Sequence, residues 1–251
     1  MDSSIPPQSH HRKRMTSPSP PPPPSSQPFL EKLDTARKTS SGLYLFEQYL
    51  SPSECKDALS ILNSDAFPWN LKPKLYGERL QQHAYQYLRP TDGKKARKKL
   101  ENSAGLQKLE ELCVRIETEF DGEVTDVYCN RFQDPWHNID WHKDTYGEHI
   151  FVLSLGSQRT VKFRNNKTWE IEEITPREGD MYLMPLSLNS THMHKVCSAE
   201  ETTGGVNSDG TRLSFVFFFE TPKYANKAGF KISRMDRFVG YVEDVLSRVV
   251  V

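Results

Sequence analysis

The chain lacks any imbalance of charge: 33 Lys and Arg are matched by 33 Asp and Glu across 251 residues. That excludes a broad electrostatic grip on nucleic acid and leaves room only for a local basic patch. Cysteine is scarce. The four thiols, Cys55, Cys113, Cys129 and Cys197, form no C-x-x-C pair, so neither a zinc module nor a disulfide framework follows. No window approaches the ~18 apolar residues of a membrane-spanning helix, and no signal peptide is evident. Together these absences lead us to expect a soluble protein of a reducing, intracellular compartment, nucleus or cytoplasm. No internal repeat and no second core-forming region appear, so one domain is expected.

What is present begins with a tail. Residues 1–40 are dominated by Ser, Pro, His, Lys and Arg and include five consecutive prolines, Pro20 to Pro24. Such a composition buries too little apolar surface to offset chain entropy, so a disordered tail is expected. It could also present a proline motif to a partner, or a nuclear-import patch at His10, His11, Arg12, Lys13 and Arg14. The ordered domain is expected over 41–251. It opens with a short apolar strand at 42–46. A helix start follows, with Ser51 as N-cap, Pro52 in the first helical position and Glu54 closing a capping box. Residues 67–90 read as irregular and aromatic, with Trp69, Tyr76, Tyr85 and Tyr87 interleaved with Lys72, Lys74, Arg79 and Arg89. That mixture suits base stacking with phosphate contact, and equally a loop of ordinary packing aromatics. A basic run at 94–99 precedes a helix carrying Leu106, Leu109, Leu112 and Ile116 on one face. The spacing of Met235, Phe238, Val242 and Val245 predicts a C-terminal helix over 233–250.

Between the helices the period changes from 3.6 to 2. Residues 124–132 alternate, placing Tyr128, Asn130 and Phe132 on one face and Val127 and Cys129 on the other. Strands are expected at 149–155, 160–163, 169–174, 181–184 and 213–219, separated by Gly-, Asn- and Pro-rich turns. The fold class is therefore α+β, mainly β: an antiparallel sandwich or barrel flanked by N-terminal and C-terminal helices.

One constellation carries chemistry. His142 and Asp144 lie two apart on an extended segment, so both side chains point the same way and one metal can hold both. A third ligand can come from His192 or His194, again two apart. Two histidines and a carboxylate form the facial triad of non-haem Fe(II) oxygenases, which leaves coordination positions open. Arg212 heads an apolar strand, and a buried arginine there requires an anionic partner. A small dicarboxylate suits its bidentate geometry.

Across roughly 43–219 the sequence resembles the AlkB family of Fe(II)/2-oxoglutarate dioxygenases. The resemblance rests on Asn130-Arg131-Phe132, His142-Lys143-Asp144, Gly179-Asp180-Met181-Tyr182-Leu183, Met193-His194 and Arg212-Leu213-Ser214-Phe215. It implies a double-stranded β-helix, or jelly roll, with Fe(II) on His142, Asp144 and His194. Arg212 would bind the distal carboxylate of 2-oxoglutarate, with Asn130, Ser214 and Phe132 lining the same pocket. O2 would be the co-substrate, and the activity oxidative demethylation of alkylated DNA or RNA bases, as in nucleic-acid repair. Tyr76, Lys74 and Tyr146 are the expected substrate contacts. Nucleic-acid-repairing members of that family carry a second arginine where this chain has Phe218. A protein substrate for the same chemistry, or a catalytically silent binding module, are the rival expectations.

Overall fold

The described residues form eleven strands in two facing sheets, whose two faces follow from the alternation noted above. The computed structural model describes residues 27–70, 82–88, 103–144, 148–202 and 210–221. In chain order the strands are β1 (Arg37–Lys38), β2 (Tyr44–Phe46), β3 (His83–Leu88), β4 (Glu123–Phe132), β5 (Ile139–His142) and β6 (His149–Gly156). They continue as β7 (Val161–Asn165), β8 (Ile171–Ile174), β9 (Met181–Pro185), β10 (His192–Val196) and β11 (Arg212–Glu220). The major sheet has the order β1-β2-β9-β6-β11-β4-β3, and the minor sheet β5-β10-β7-β8. All pairings within both sheets are antiparallel. From β4 onward the chain crosses repeatedly from one sheet to the other, the winding of a jelly roll.

Each face of the major sheet has its own apolar layer. Phe132, Ile150, Val152, Tyr182, Met184 and Phe218 face the minor sheet and meet Val161, Phe163 and Val196 from it. The opposite face carries Cys129, Phe151, Leu153, Phe215, Phe217 and Phe219. It is covered by the helices α1 (Gln27–Leu33), α2 (Pro52–Leu62) and α3 (Ala104–Phe120). α2 starts as its sequence predicts. Ser51 N donates to Glu54 Oε2 at 2.7 Å, and Ser51 Oγ accepts from Glu54 N at 3.4 Å, closing the capping box behind Pro52. α3 ends on Asp121, in the left-handed region at φ 51°, which turns the chain directly into β4. The four cysteines are buried free thiols. Among the described residues no helix is long and apolar enough to cross a membrane.

Three expectations are corrected. The tail expected over 1–40 already contains α1 and β1, because Phe29 stacks at 6.1 Å on Phe219 and meets Phe120 edge-on at 6.1 Å. A single large aromatic with a hydrophobic slot overrides a polar, proline-rich local composition. The region 67–90, expected to be irregular, contains β3, which pairs with β4 from His83↔Arg131 to Leu88↔Asp126. Its aromatics pack: Phe67, Trp69 and Tyr87 are buried, and Tyr87 Oη donates to Glu110 Oε2 at 2.7 Å. The strand expected at 169–174 begins only at Ile171, because Trp169 sits at φ 64°. The basic run at 94–99, the proline run and the expected C-terminal helix lie outside the described residues.

At the sandwich edge, Glu172 on β8 gathers the turn after β1. It accepts from Thr39 Oγ1 (2.8 Å), Ser40 N (3.1 Å), Ser40 Oγ (2.6 Å), Ser41 N (3.2 Å) and Ser41 Oγ. Burial pushes this carboxyl's pKa up, but the hydroxyl and amide donors outweigh it and hold the pKa down at about 2. If α1 is part of the core, Phe29→Ala should cost about 3 kcal/mol of stability in a urea melt. An unchanged midpoint would show that α1 is not docked.

Candidate metal centre

β5 and β10 pair antiparallel with His142 directly opposite His194. Their rings lie 4.1 Å apart between centroids, and Asp144 Oδ2 is 3.6 Å from His194 Nε2. One ligand atom from each of His142, Asp144 and His194 lies within 4.8 Å of the others. Among the described residues no other cluster of His, Cys, Asp or Glu meets that spacing. His192, the alternative ligand, pairs its Nδ1 with Thr191 Oγ1 at 2.9 Å and stands outside the cluster.

The ligands are held from behind. His142 Nδ1 lies 2.7 Å from the Asp140 carbonyl; a donated proton there leaves Nε2 as the ligand atom. Phe163 stacks on His194 at 5.8 Å. Asp144 is pinned through its backbone: Asn189 Nδ2 donates to Asp144 O at 2.7 Å, and Asp144 N donates to Asn189 Oδ1 at 3.3 Å. Asn189 belongs to α4 (Leu186–Thr191), and Lys143 Nζ ties the same loop to Ser190 O at 2.9 Å. Burial raises the Asp144 pKa against the opposing pull of His142. Burial, with His142 beside it, holds His194 well below the usual histidine range. His194 therefore keeps a free lone pair, and a proton contests Asp144 more than it would an ordinary aspartate.

A second group of polar side chains lines the inner face of the major sheet. Arg212 is fully buried, donates from Nη2 to Ser154 Oγ at 3.1 Å, and leaves Nε and Nη1 without any hydrogen-bond partner. Its guanidinium lies 5.4 Å from the Phe132 ring. Ser214 sits in register between Asn130 on β4 and Ser154 on β6. Asn130 Oδ1 accepts from buried Gln82 Nε2 at 3.3 Å. Burial lowers the Arg212 pKa to about 10; Tyr182 opposes that fall and the equally buried Arg159 adds to it. Two buried guanidinium groups that disfavour each other's charge make an anion welcome here.

All four residues expected to line a cofactor pocket, Arg212, Asn130, Ser214 and Phe132, therefore share one inner surface. Tyr76, Lys74 and Tyr146, the expected substrate contacts, lie outside the described residues. Sequence reasoning missed Asn189, Ser154, Gln82 and Tyr182. Tyr182 is the one with a signal, since its odd register in β9 puts a phenol on the inner face, within electrostatic reach of both Arg212 and Asp144.

Two solved structures resemble this fold loosely. One is titled "The structure of OsALKBH1", with TM-score 0.46 and 13% identity, covering 72% of this chain and 100% of that one. The other is a Pseudomonas putida prolyl-4-hydroxylase, with TM-score 0.45 and 13% identity, covering 77% and 97%. No protein-family model and no curated protein sequence matches the chain.

Asn189→Ala should weaken Mn(II) affinity about 10- to 100-fold while the fold survives, measured by titration calorimetry with Mn(II). Affinity in the unaltered protein should fall as pH is lowered, starting at a higher pH than for an ordinary aspartate, because the raised Asp144 pKa lets protons compete earlier. Wild-type affinity in the Asn189 variant would remove that residue from the site.

Proposed function

We propose that the protein is an Fe(II)- and 2-oxoglutarate-dependent dioxygenase that oxidatively demethylates alkylated bases of DNA or RNA. The observation that carries the oxygenase reading is Arg212, a fully buried guanidinium with two unpartnered nitrogens, behind a two-histidine, one-carboxylate cluster. The residues fit both groups. An orphaned buried cation favours an anion that is itself carried in, and a guanidinium makes charge-assisted bidentate contacts with a carboxylate. The substrate class rests on the motif resemblance described above.

His142, Asp144 and His194 would hold Fe(II) on one side, leaving the other side open. When bound, iron with 2-oxoglutarate and O2 supplies the oxidant, yielding succinate and CO2 and converting a substrate C–H to C–OH. An N-hydroxymethyl group then releases formaldehyde and returns the N–H of the base. The chain's own part is orientation. Arg212 aims charge-assisted donors at the distal carboxylate, and Ser154 fixes the direction of its guanidinium. Gln82 occupies the Asn130 oxygen, so the Asn130 amide can present only N–H groups to an anion. Phe132 and Val152 are buried apolar side chains of the same inner face, and an apolar setting strengthens charge interactions made there.

Arg212→Ala should leave Mn(II) binding intact and weaken 2-oxoglutarate affinity by about 100-fold, the scale of a lost buried charge pair. Wild-type 2-oxoglutarate affinity in that variant would overturn the oxygenase reading. Formaldehyde released from N-methylated oligonucleotides is the expected product assay. Turnover on methyl-lysine peptides alone would move the substrate to protein.

A further inference from the structure

The outer face of the minor sheet plays no part in the chemistry above, yet it is built with care. Arg164 on β7 lies between two indoles, its Cζ 4.5 Å from the Trp141 ring and 4.7 Å from the Trp169 ring. Its Nη2 donates to Met193 Sδ at 3.7 Å, and among the described residues no carboxylate pairs with it. Of the neighbouring cations, Lys162 meets Glu173 at 2.7 Å and Lys195 meets Glu201 at 3.0 Å, while exposed Lys167 in the β7–β8 hairpin makes no ion pair among the described residues. Arg164 and Lys167 are therefore the unpaired cations of the patch, with the exposed Glu170 carboxylate held by Thr168 Oγ1 at 2.9 Å.

Beside it, Trp169 is 65% exposed and Ile171 52% exposed. Trp169 occupies the left-handed region at φ 64°, which a bulky L side chain rarely adopts. The hairpin enforces that conformation. Asn165 Oδ1 accepts from Lys167 N (2.8 Å) and Thr168 N (3.2 Å), while Trp169 N donates to Asn165 O at 3.0 Å. A strained backbone that presents a bare indole next to an unpaired guanidinium is a feature with a use outside the chain. The guanidinium offers planar N–H donors suited to phosphate, and the indole offers a sequence-tolerant stacking face.

We propose that this face docks single-stranded nucleic acid, with a base stacked on Trp169 and a neighbouring phosphate on Arg164. The proposal deepens the nucleic-acid reading of the substrate and rests on it. β5 and β10 carry His142 and His194 on their inner side and Trp141 and Lys195 next to them in sequence. A strand held here is anchored one sheet's thickness from the metal cluster. The unmatched cation favours a polyanion over an uncharged proline-rich peptide.

The test measures fluorescence-anisotropy binding of a short unmodified oligothymidylate to the full chain and to Trp169→Asn and Arg164→Gln. Asparagine tolerates the left-handed backbone, so the first variant should melt no lower than the parent. Its affinity for the oligonucleotide should fall about tenfold, the scale of one lost stacked base. Arg164→Gln should also weaken binding, and should reduce the slope of log affinity against log salt by about 0.7, one phosphate's worth for a single strand. Binding of Mn(II) and 2-oxoglutarate should be unchanged in both. Oligonucleotide binding that both variants retain would overturn the platform and leave the nucleic-acid reading standing. No binding by the parent chain would overturn both. A proline-rich peptide that binds instead, and is lost in the same variants, would reassign the face to a protein partner.

Discussion

A guanidinium sealed between two β-sheets with most of its hydrogen-bonding capacity unmet is the constraint around which this structure is arranged. Arg212 stands at the start of β11, flanked by β4 and β6 in register along nearly the whole strand, so it cannot swing out to solvent. Desolvating a cation without an anion is costly, and the surroundings do little to relieve it: one serine hydroxyl, one aromatic ring, and a second buried arginine that aggravates it. The fold bears that cost because the strand carrying Arg212 also supplies Leu213, Phe215, Phe217 and Phe219 to the apolar layer beneath the helices. Strain at the ligand pocket is offset by burial on the opposite face of the same strand.

The metal cluster is organised differently. Its two histidines come from the minor sheet, where the antiparallel pair β5–β10 sets them face to face, and its carboxylate comes from the loop after β5; together they could hold a metal. Loops move more than strands, and Asn189 answers that weakness by grasping the loop backbone from a short helix. Geometry is thus imposed by paired strands on two ligands and by a side-chain amide clamp on the third.

Much of this was legible in the sequence wherever the signal is local. The two-residue spacing of His142 and Asp144, the capping box at Ser51 and the alternation through Phe132 each follow from a few neighbouring side chains, and the structure contains all three. Where the signal is carried by distant partners, the sequence was mute. β3 looks like an irregular aromatic stretch until β4, on the far side of α3 in the sequence, offers it an edge. α1 hides in a proline- and serine-rich neighbourhood because few of its residues, chiefly Phe29 with Leu33, tie it to the core. Ser154, Gln82 and Asn189 are unremarkable polar residues until the sheets close and bring them to Arg212, Asn130 and Asp144. His192 and His194 have the same parity, and only pairing across strands brings His194 opposite His142.

The position of β11 has a consequence for how the chain acquires its shape. It is an interior strand of the major sheet, between β6 and β4, and yet follows every other described strand in sequence. Until it arrives, β4 and β6 present two unsatisfied, strongly apolar edges separated by a strand-wide gap. A nascent chain in that state resembles a sheet with its middle removed, sticky on both inner margins and prone to accept the wrong strand from a neighbour. Biogenesis should therefore depend on chaperone shielding up to the moment of insertion, and damage near β11 should show as aggregation during synthesis before it shows as lost activity.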